Sequence, residues 1–131
     1  MIYLDSVAVV KLVHKENESE ALRGWLDQRI DTPWVSSILL DVEAFRALAR
    51  HSPAIVKRLP LVLDMIELIE MNPGIRILAQ TVKPATVRSL DAVHLGTALS
   101  IAGLTAFVTY DKRLAEAAAG ARLPVFSPGT A

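Results

Sequence analysis

Asp5, Glu43, Asp91 and Asp111 are the residues of this chain whose type and placement could do chemistry. Three of them stand where a short apolar strand gives way to a helix or where a helix begins. Ile2-Tyr3-Leu4 runs into Asp5, Phe107-Val108-Thr109 runs through Tyr110 into Asp111, and Ser89-Leu90-Asp91 opens the apolar run Ala92-Val93-His94-Leu95. In an alternating α/β chain, junctions after strands converge on the crevice at the carboxyl ends of the sheet. Carboxylates gathered there raise one another's proton affinity unless a cation offsets their charge. Oxygen-only ligation is what a hard divalent ion such as Mg²⁺ accepts. The expectation is a metal-dependent enzyme of phosphate chemistry.

Each acid also has a purely architectural explanation. Asp5, Asp91 and Asp111 suit helix caps or first-turn acids favoured by the helix dipole. On the helix predicted to end near Arg50, Ile38, Val42, Phe45 and Ala49 form an apolar stripe, and Glu43 lies on the adjoining face with Leu39, Arg46 and Arg50. An ion pair with Arg46, three residues on, would account for Glu43 as well as metal binding does. His94 follows Asp91 by one turn and reads as a second partner of that site or as a hydrogen-bonded, half-buried histidine. His14 and His51 have no carboxylate at metal-ligand spacing within their own helices. No Ser-His-Asp order, Gly-rich phosphate loop or zinc spacing is present.

The elements that must position these acids follow from patterning. Residues 2–4 read as a buried strand, and residues 6 to about 16 as a helix capped by Asp5 or Ser6. A second helix begins at Asn17-Glu18-Ser19-Glu20 and runs to about Ile30. A strand at 33–36 leads into a third helix. Pro53 opens a fourth helix, disturbed at Pro60 and ending near Asn72-Pro73-Gly74. Residues 75–78 read as a strand, 89–101 as a helix, 106–109 as a strand, 112–119 as a helix and 123–126 as a last strand. Short strands alternating with helices predict a three-layer α/β/α sandwich around a short-stranded, mostly parallel sheet, a single domain over residues 1–131.

Composition narrows the class. The chain has 131 residues, 14 basic and 14 acidic side chains, no cysteine, 52% hydrophobic residues and a mean hydropathy of +0.37. Zero net charge is unlike a dedicated nucleic-acid-binding domain, so any grip on phosphates must come from local patches or from bound metal. Without cysteine there are no disulfides, thiolate metal sites or thiol nucleophiles. No segment is apolar for long enough to span a bilayer, and Asp5 interrupts any cleavable leader; a cytoplasmic protein without membrane contact is expected. The apolar content suggests surface that a partner covers. Between Leu61 and Met71, Asp64, Glu67 and Glu70 form one narrow stripe of a helical wheel, and the wide remaining face is expected to receive a partner helix or a second copy of the chain.

The residues resemble a known family, the PIN domains, and within it the VapC toxins of bacterial toxin–antitoxin pairs. Met1-Ile2-Tyr3-Leu4-Asp5-Ser6 is similar to the family's first strand and first acid. Ser36-Ser37-Ile38-Leu39-Leu40-Asp41-Val42-Glu43 with Arg46 resembles its second motif. Arg88-Ser89-Leu90-Asp91-Ala92-Val93-His94-Leu95 and Val108-Thr109-Tyr110-Asp111-Lys112-Arg113-Leu114 resemble its third and fourth. The resemblance covers nearly the whole chain in order. The departures, Pro60 and Gln80-Thr81-Val82-Lys83-Pro84, touch no acidic position.

The resemblance implies that Asp5, Glu43, Asp91 and Asp111 are a catalytic quartet binding Mg²⁺, with Mn²⁺ as a substitute. Thr109 and Ser6 would support the quartet, and Arg46, Lys112 and Arg113 would contact RNA. The implied activity is that of an endoribonuclease toxin. The implied partners are an RNA substrate, a cognate VapB-like antitoxin and a second copy of the chain as a homodimer. The alternative is a catalytically silent PIN-like interaction module, whose expected sign, a lost acid, is absent. Receiver and haloacid-dehalogenase-like folds are excluded by local sequence, because Ser6 follows Asp5 and position 7 is Val.

Overall fold

The computed structural model describes residues 1–130. The chain order is β1 (Ile2–Leu4), α1 (Ser6–Val13), α2 (Ser19–Asp27), β2 (Trp34–Ser37), α3 (Leu39–Ala49), α4 (Pro53–Val56), α5 (Leu59–Leu63), β3 (Ile66–Ile69), α6 (Pro73–Gln80), α7 (Ser89–Leu99), β4 (Ala106–Val108), α8 (Lys112–Gly120) and β5 (Val125–Phe126). The five strands form one sheet in the order β3-β2-β1-β4-β5, and every pairing is parallel. Among the described residues, no helix is long and apolar enough to cross a membrane.

The central strands are apolar on both sides because helices cover both faces. Side chains alternate along a strand, so Ile2 and Leu4 enter one core with Ala106 and Val108, together with the buried faces of α1, α2 and α3. Tyr3, Val35 and Phe107 enter the other core, with Leu95 and Ala98 of α7 and Leu114, Ala117 and Ala118 of α8. Tyr3 stacks on Phe107 with ring centroids 5.0 Å apart. From β1 the sheet grows one way through β2 and β3, and then the chain returns to place β4 on the other side of β1. Right-handed crossovers put connections of opposite direction on opposite faces. The strand order therefore reverses between β1 and β4, which opens a crevice at their carboxyl ends.

The structure corrects the reading of residues 53–80. The expected fourth helix is two short pieces, α4 and α5, and Ile66–Ile69 is the edge strand β3, paired with Trp34–Ser37. The helical wheel drawn over Leu61 to Met71 therefore does not exist, and neither does the continuous apolar face inferred from it. The expected strand at 75–78 lies inside α6. Asn72 and Pro73 do not end a helix but start one. Asn72 Oδ1 accepts the Ile75 N–H at 2.8 Å, and Pro73 occupies the first helical position, where its missing N–H costs nothing. α6 lies directly on α7 at Gly96, where a Cβ would meet Ile75 O and Ala79 N at 3.0 Å.

A second correction concerns α3. Its buried stripe is Leu40, Ala44 and Leu48. Val42 and Phe45, expected in the apolar stripe, are 60% and 51% exposed.

Candidate active site

The crevice at the β1/β4 reversal is a cavity of about 320 Å³ lined by Asp5, Ser6, Glu43, Arg88, Asp91, His94 and Asp111 among others. All four acids singled out in the sequence face this one space. Each arrives by a different route, and each is held by a different group.

Asp5 follows β1 and is the N-cap of α1, with Oδ1 accepting the Ala8 N–H at 2.8 Å. Only 2% of the residue is exposed. Burial raises its proton affinity, to a pKa of about 6. The Thr109 hydroxyl and the Ala8 amide oppose that rise, and the neighbouring Asp111 charge adds to it. Thr109, fully buried, also accepts the Asp111 N–H at Oγ1, 3.1 Å, and so ties the first acid to the last. Asp111 follows β4 and caps α8, its Oδ1 accepting from Arg113 N at 2.8 Å and Leu114 N at 3.1 Å.

The architectural explanation is thus correct for these two residues, but incomplete. A cap needs an oxygen acceptor, which Asn supplies as well as Asp, whereas both caps here also turn a carboxylate toward the cavity. Asp91 is no cap at all. It sits in the first turn of α7, whose N-cap residue, Arg88, makes no side-chain cap bond. Burial raises its proton affinity and the Asp111 charge raises it further, while Arg88, with Nε 3.9 Å from Oδ2, pulls the other way.

Glu43 is fixed from beneath by a buried relay that local patterning did not reveal. His94 Nε2 lies 2.6 Å from Glu43 Oε1, and His94 Nδ1 lies 2.6 Å from the Tyr3 hydroxyl. The Tyr3 oxygen already accepts the Ser37 N–H at 3.2 Å. One arrangement that satisfies these groups has Tyr3 donating to Nδ1 and His94 donating from Nε2 to Glu43. Tyr3 and His94 are deeply buried while Glu43 is half-buried at the cavity, and burial pushes the Tyr3 phenol well above its ordinary range. The expected Glu43–Arg46 pairing does not form. The only local sign of the relay was a tyrosine in an aliphatic strand and a histidine one turn beyond Asp91. Arg88 likewise stands out in the sequence only as the first residue of the third motif.

Two grooves adjoin the cavity. One, lined by Ser6, Val7, Val42, Glu43, Arg46 and Arg50 among others, leads along α1 and α3. The other, lined by Lys83, Arg88, Asp91 and Arg113 among others, leads along α8. Arg46 and Arg113 therefore line two different grooves beside the acids, while Lys112 is exposed and lines none of these spaces.

The residues fit a divalent cation. Among the described residues, Asp5 is a buried carboxylate in no salt bridge, and it belongs to an all-oxygen acidic set. No three of the four acids bring ligand oxygens within 4.8 Å of one another. Carboxylate oxygens with water in the remaining positions are donors that a hard divalent ion accepts.

Comparison with known proteins agrees with this architecture. The PIN domain family matches residues 2–120. Ribonuclease VapC35 of Mycobacterium tuberculosis (strain ATCC 25618 / H37Rv) is 46% identical over 100% of this chain and 99% of its own length. Ribonuclease VapC47 of Mycobacterium tuberculosis (strain CDC 1551 / Oshkosh) is 39% identical over 98% of each. The crystal structure of FitAcB from Neisseria gonorrhoeae superposes with a TM-score of 0.73 at 16% identity, covering 98% of both chains, a likeness of fold. The chain belongs to the PIN-domain family, in the branch of the VapC ribonucleases.

Proposed function

We propose that this protein is the endoribonuclease toxin of a VapBC-type pair, hydrolysing RNA phosphodiesters in the cavity between β1 and β4. The observation that carries the reading is the convergence of Asp5, Glu43, Asp91 and Asp111 on one space at the reversal of strand order. These four would hold Mg²⁺, or Mn²⁺ in its place. When bound, the ion supplies charge stabilisation at the phosphoryl oxygens and lowers the pKa of coordinated water.

The chain's own residues do the positioning. Backbone amides at the starts of α1 and α8 fix Asp5 and Asp111, so that their carboxylates face the cavity without searching rotamers. His94, held by Tyr3, occupies one oxygen of Glu43 and leaves the other for a water or the cation. Arg88 neutralises part of the charge beside Asp91. A single strand laid across the cavity would meet Arg46 in one groove and Arg113 in the other, which gives a neutral protein a local grip on phosphate.

A cognate antitoxin is the partner this surface suits. Val7, Val42, Phe45 and Leu90 are exposed apolar side chains, and three of them line the groove beside the acids. An apolar segment placed there would cover the cavity mouth. A homodimer and residence in the cytoplasm belong to the same proposal.

The test is cleavage of a mixed RNA pool by purified protein with Mg²⁺ or Mn²⁺, beside EDTA and Asp91→Asn controls. Metal-dependent cleavage that disappears in the variant supports the reading. A folded protein that neither cleaves RNA nor binds Mg²⁺ or Mn²⁺ would leave the silent interaction module in its place.

A further inference from the structure

Outside the acidic cavity, three potential metal ligands meet at the C-terminal ends of α1 and α3. Single ligand atoms of His14, Glu16 and His51 all lie within 4.8 Å of one another, and the two imidazole rings have centroids 4.6 Å apart. His14 is the C-cap of α1, and His51 follows the C-cap of α3. An eight-residue helix is about 12 Å long, and α1 starts just after its cap Asp5, so His14 lies roughly that far from Asp5.

We infer that His14, Glu16 and His51 form a second cation site, selective for zinc-class ions over Mg²⁺, that clamps the C-terminal end of α1 to that of α3. The donor set is two imidazoles and a carboxylate, which suits Zn²⁺ and its neighbours and suits Mg²⁺ poorly. A fourth position remains for water. The backbone that presents the ligands is already fixed. His14 N donates to Val10 O at 2.8 Å, Glu16 N to Ser19 Oγ at 2.9 Å, and His51 N to Leu48 O at 2.9 Å. Buried Ser19 anchors the loop between His14 and Glu16.

Among the described residues, neither imidazole makes a hydrogen bond, so their lone pairs are available. Glu16 is 3.7 Å from Lys11, but that amine also sits 3.1 Å from both Glu18 Oε2 and the Asn17 carbonyl. Turning Glu16 to a cation would therefore not strand Lys11. Two helix C-termini converge on the site, and their partial negative charge favours a cation there. The imidazoles lack the outer hydrogen-bond partners that orient the ligands of tight zinc sites, so the affinity expected is moderate. The inference uses none of the residues lining the acidic cavity, although Glu16 also lines the groove along α1 and α3.

The experiment is calorimetric titration of the full-length, metal-stripped protein with Zn²⁺ in excess Mg²⁺ at neutral pH. Wild type would be run beside His14→Gln, His51→Gln and Asp91→Asn, with melting curves in EDTA and in Zn²⁺. One Zn²⁺ per chain is expected in wild type and in Asp91→Asn. Each histidine variant should bind at least about tenfold more weakly and lose the zinc-dependent rise in Tm, while melting like wild type in EDTA. Equal zinc binding by the histidine variants would overturn the site, as would loss of binding in Asp91→Asn. Zinc-driven dimerisation in place of a monomeric complex, seen by light scattering, would overturn the clamp within one chain.

Discussion

The two ends of α1 hold two different kinds of site. At its start, Asp5 belongs to a cavity in which every acid is held by a neighbour: an amide, a hydroxyl, a histidine or an arginine. At its end, His14 belongs to a cluster whose backbone is fixed while its imidazoles make no hydrogen bond among the described residues. The first arrangement is preorganised and electrostatically costly, because it buries like charges side by side. The second is cheap to keep near the surface and brings ligands together without aiming them. Catalytic sites need the first kind, since charge developing in a transition state is best met by groups that do not move. A clamp can tolerate the second.

The sharpest way to break this contrast is to remove charge from the cavity without changing shape. Asp91→Asn should lower RNA cleavage by a hundredfold or more, the scale of several kcal/mol that a misplaced cation costs. Its unfolding curve should stay close to wild type, because Asp91 caps no helix. Cleavage reduced only severalfold would mean that the acids do not act as one unit.

The next test concerns stability. The folded-state carboxyl of Asp5 holds its proton more tightly than the ordinary 3.8, with a pKa near 6. The folded state therefore binds more protons than the unfolded state between about pH 4 and 6. Stability of the metal-free protein should be greatest below that window and fall as the pH rises through it, by on the order of 3 kcal/mol for two units. Asp5→Asn keeps the cap to Ala8 and should flatten the loss, leaving a metal-free variant more stable than wild type at neutral pH. Mg²⁺ should restore wild type and not the variant. Denaturant midpoints from pH 4 to 7.5, with and without Mg²⁺, would decide it, and a wild-type protein that gains stability through the window would contradict it.

The relay beneath Glu43 sharpens the comparison further. Tyr3→Phe leaves the Ser37 N–H and His94 Nδ1 without their partner in a dry core, at a cost of about 1–3 kcal/mol. It should also lower cleavage by about tenfold by freeing His94 to reorient. Chemical denaturation and kcat measured on the same preparation would separate the two effects. Retained activity in a destabilised protein would reduce the relay to a core hydrogen bond.

The smallest effect is expected at the grooves. Arg46→Ala and Arg113→Ala should each weaken RNA binding severalfold at low salt and flatten the salt dependence by about 0.7 in log–log slope per lost phosphate contact. Lys112→Ala should change neither, because it lines neither of these grooves. Binding curves at several salt concentrations would check this, and a large Lys112 effect would redirect the RNA path.

Much of this was legible in the sequence. Strand-to-helix junctions are written locally, in apolar triplets followed by capping acids, so Asp5 and Asp111 could be placed without a structure. Asp91 and Glu43 needed only helical spacing and the family resemblance. The failures were also local. Ile66–Ile69 is too short to separate strand from helix by periodicity, and its strand identity comes from pairing with Trp34–Ser37. Asn72-Pro73 carries the same residues whether a helix ends before it or starts after it. On α3 the stripe of Ile38, Val42, Phe45 and Ala49 was expected to face inward, and only tertiary packing decided that Leu40, Ala44 and Leu48 do.

The sequence by itself determined the alternation of elements and the four acids, because capping, chain stiffness and hydrophobic period act within a few residues. Tertiary structure alone decided which distant residues meet. His94 reaches from α7 to Tyr3 and Glu43, residues 91 and 51 positions away in sequence. His14 and Glu16 acquire His51 only because α1 packs on α3 and both helices end together. Contacts of that range carry no local signature, since they depend on the strand order and on which face each helix covers.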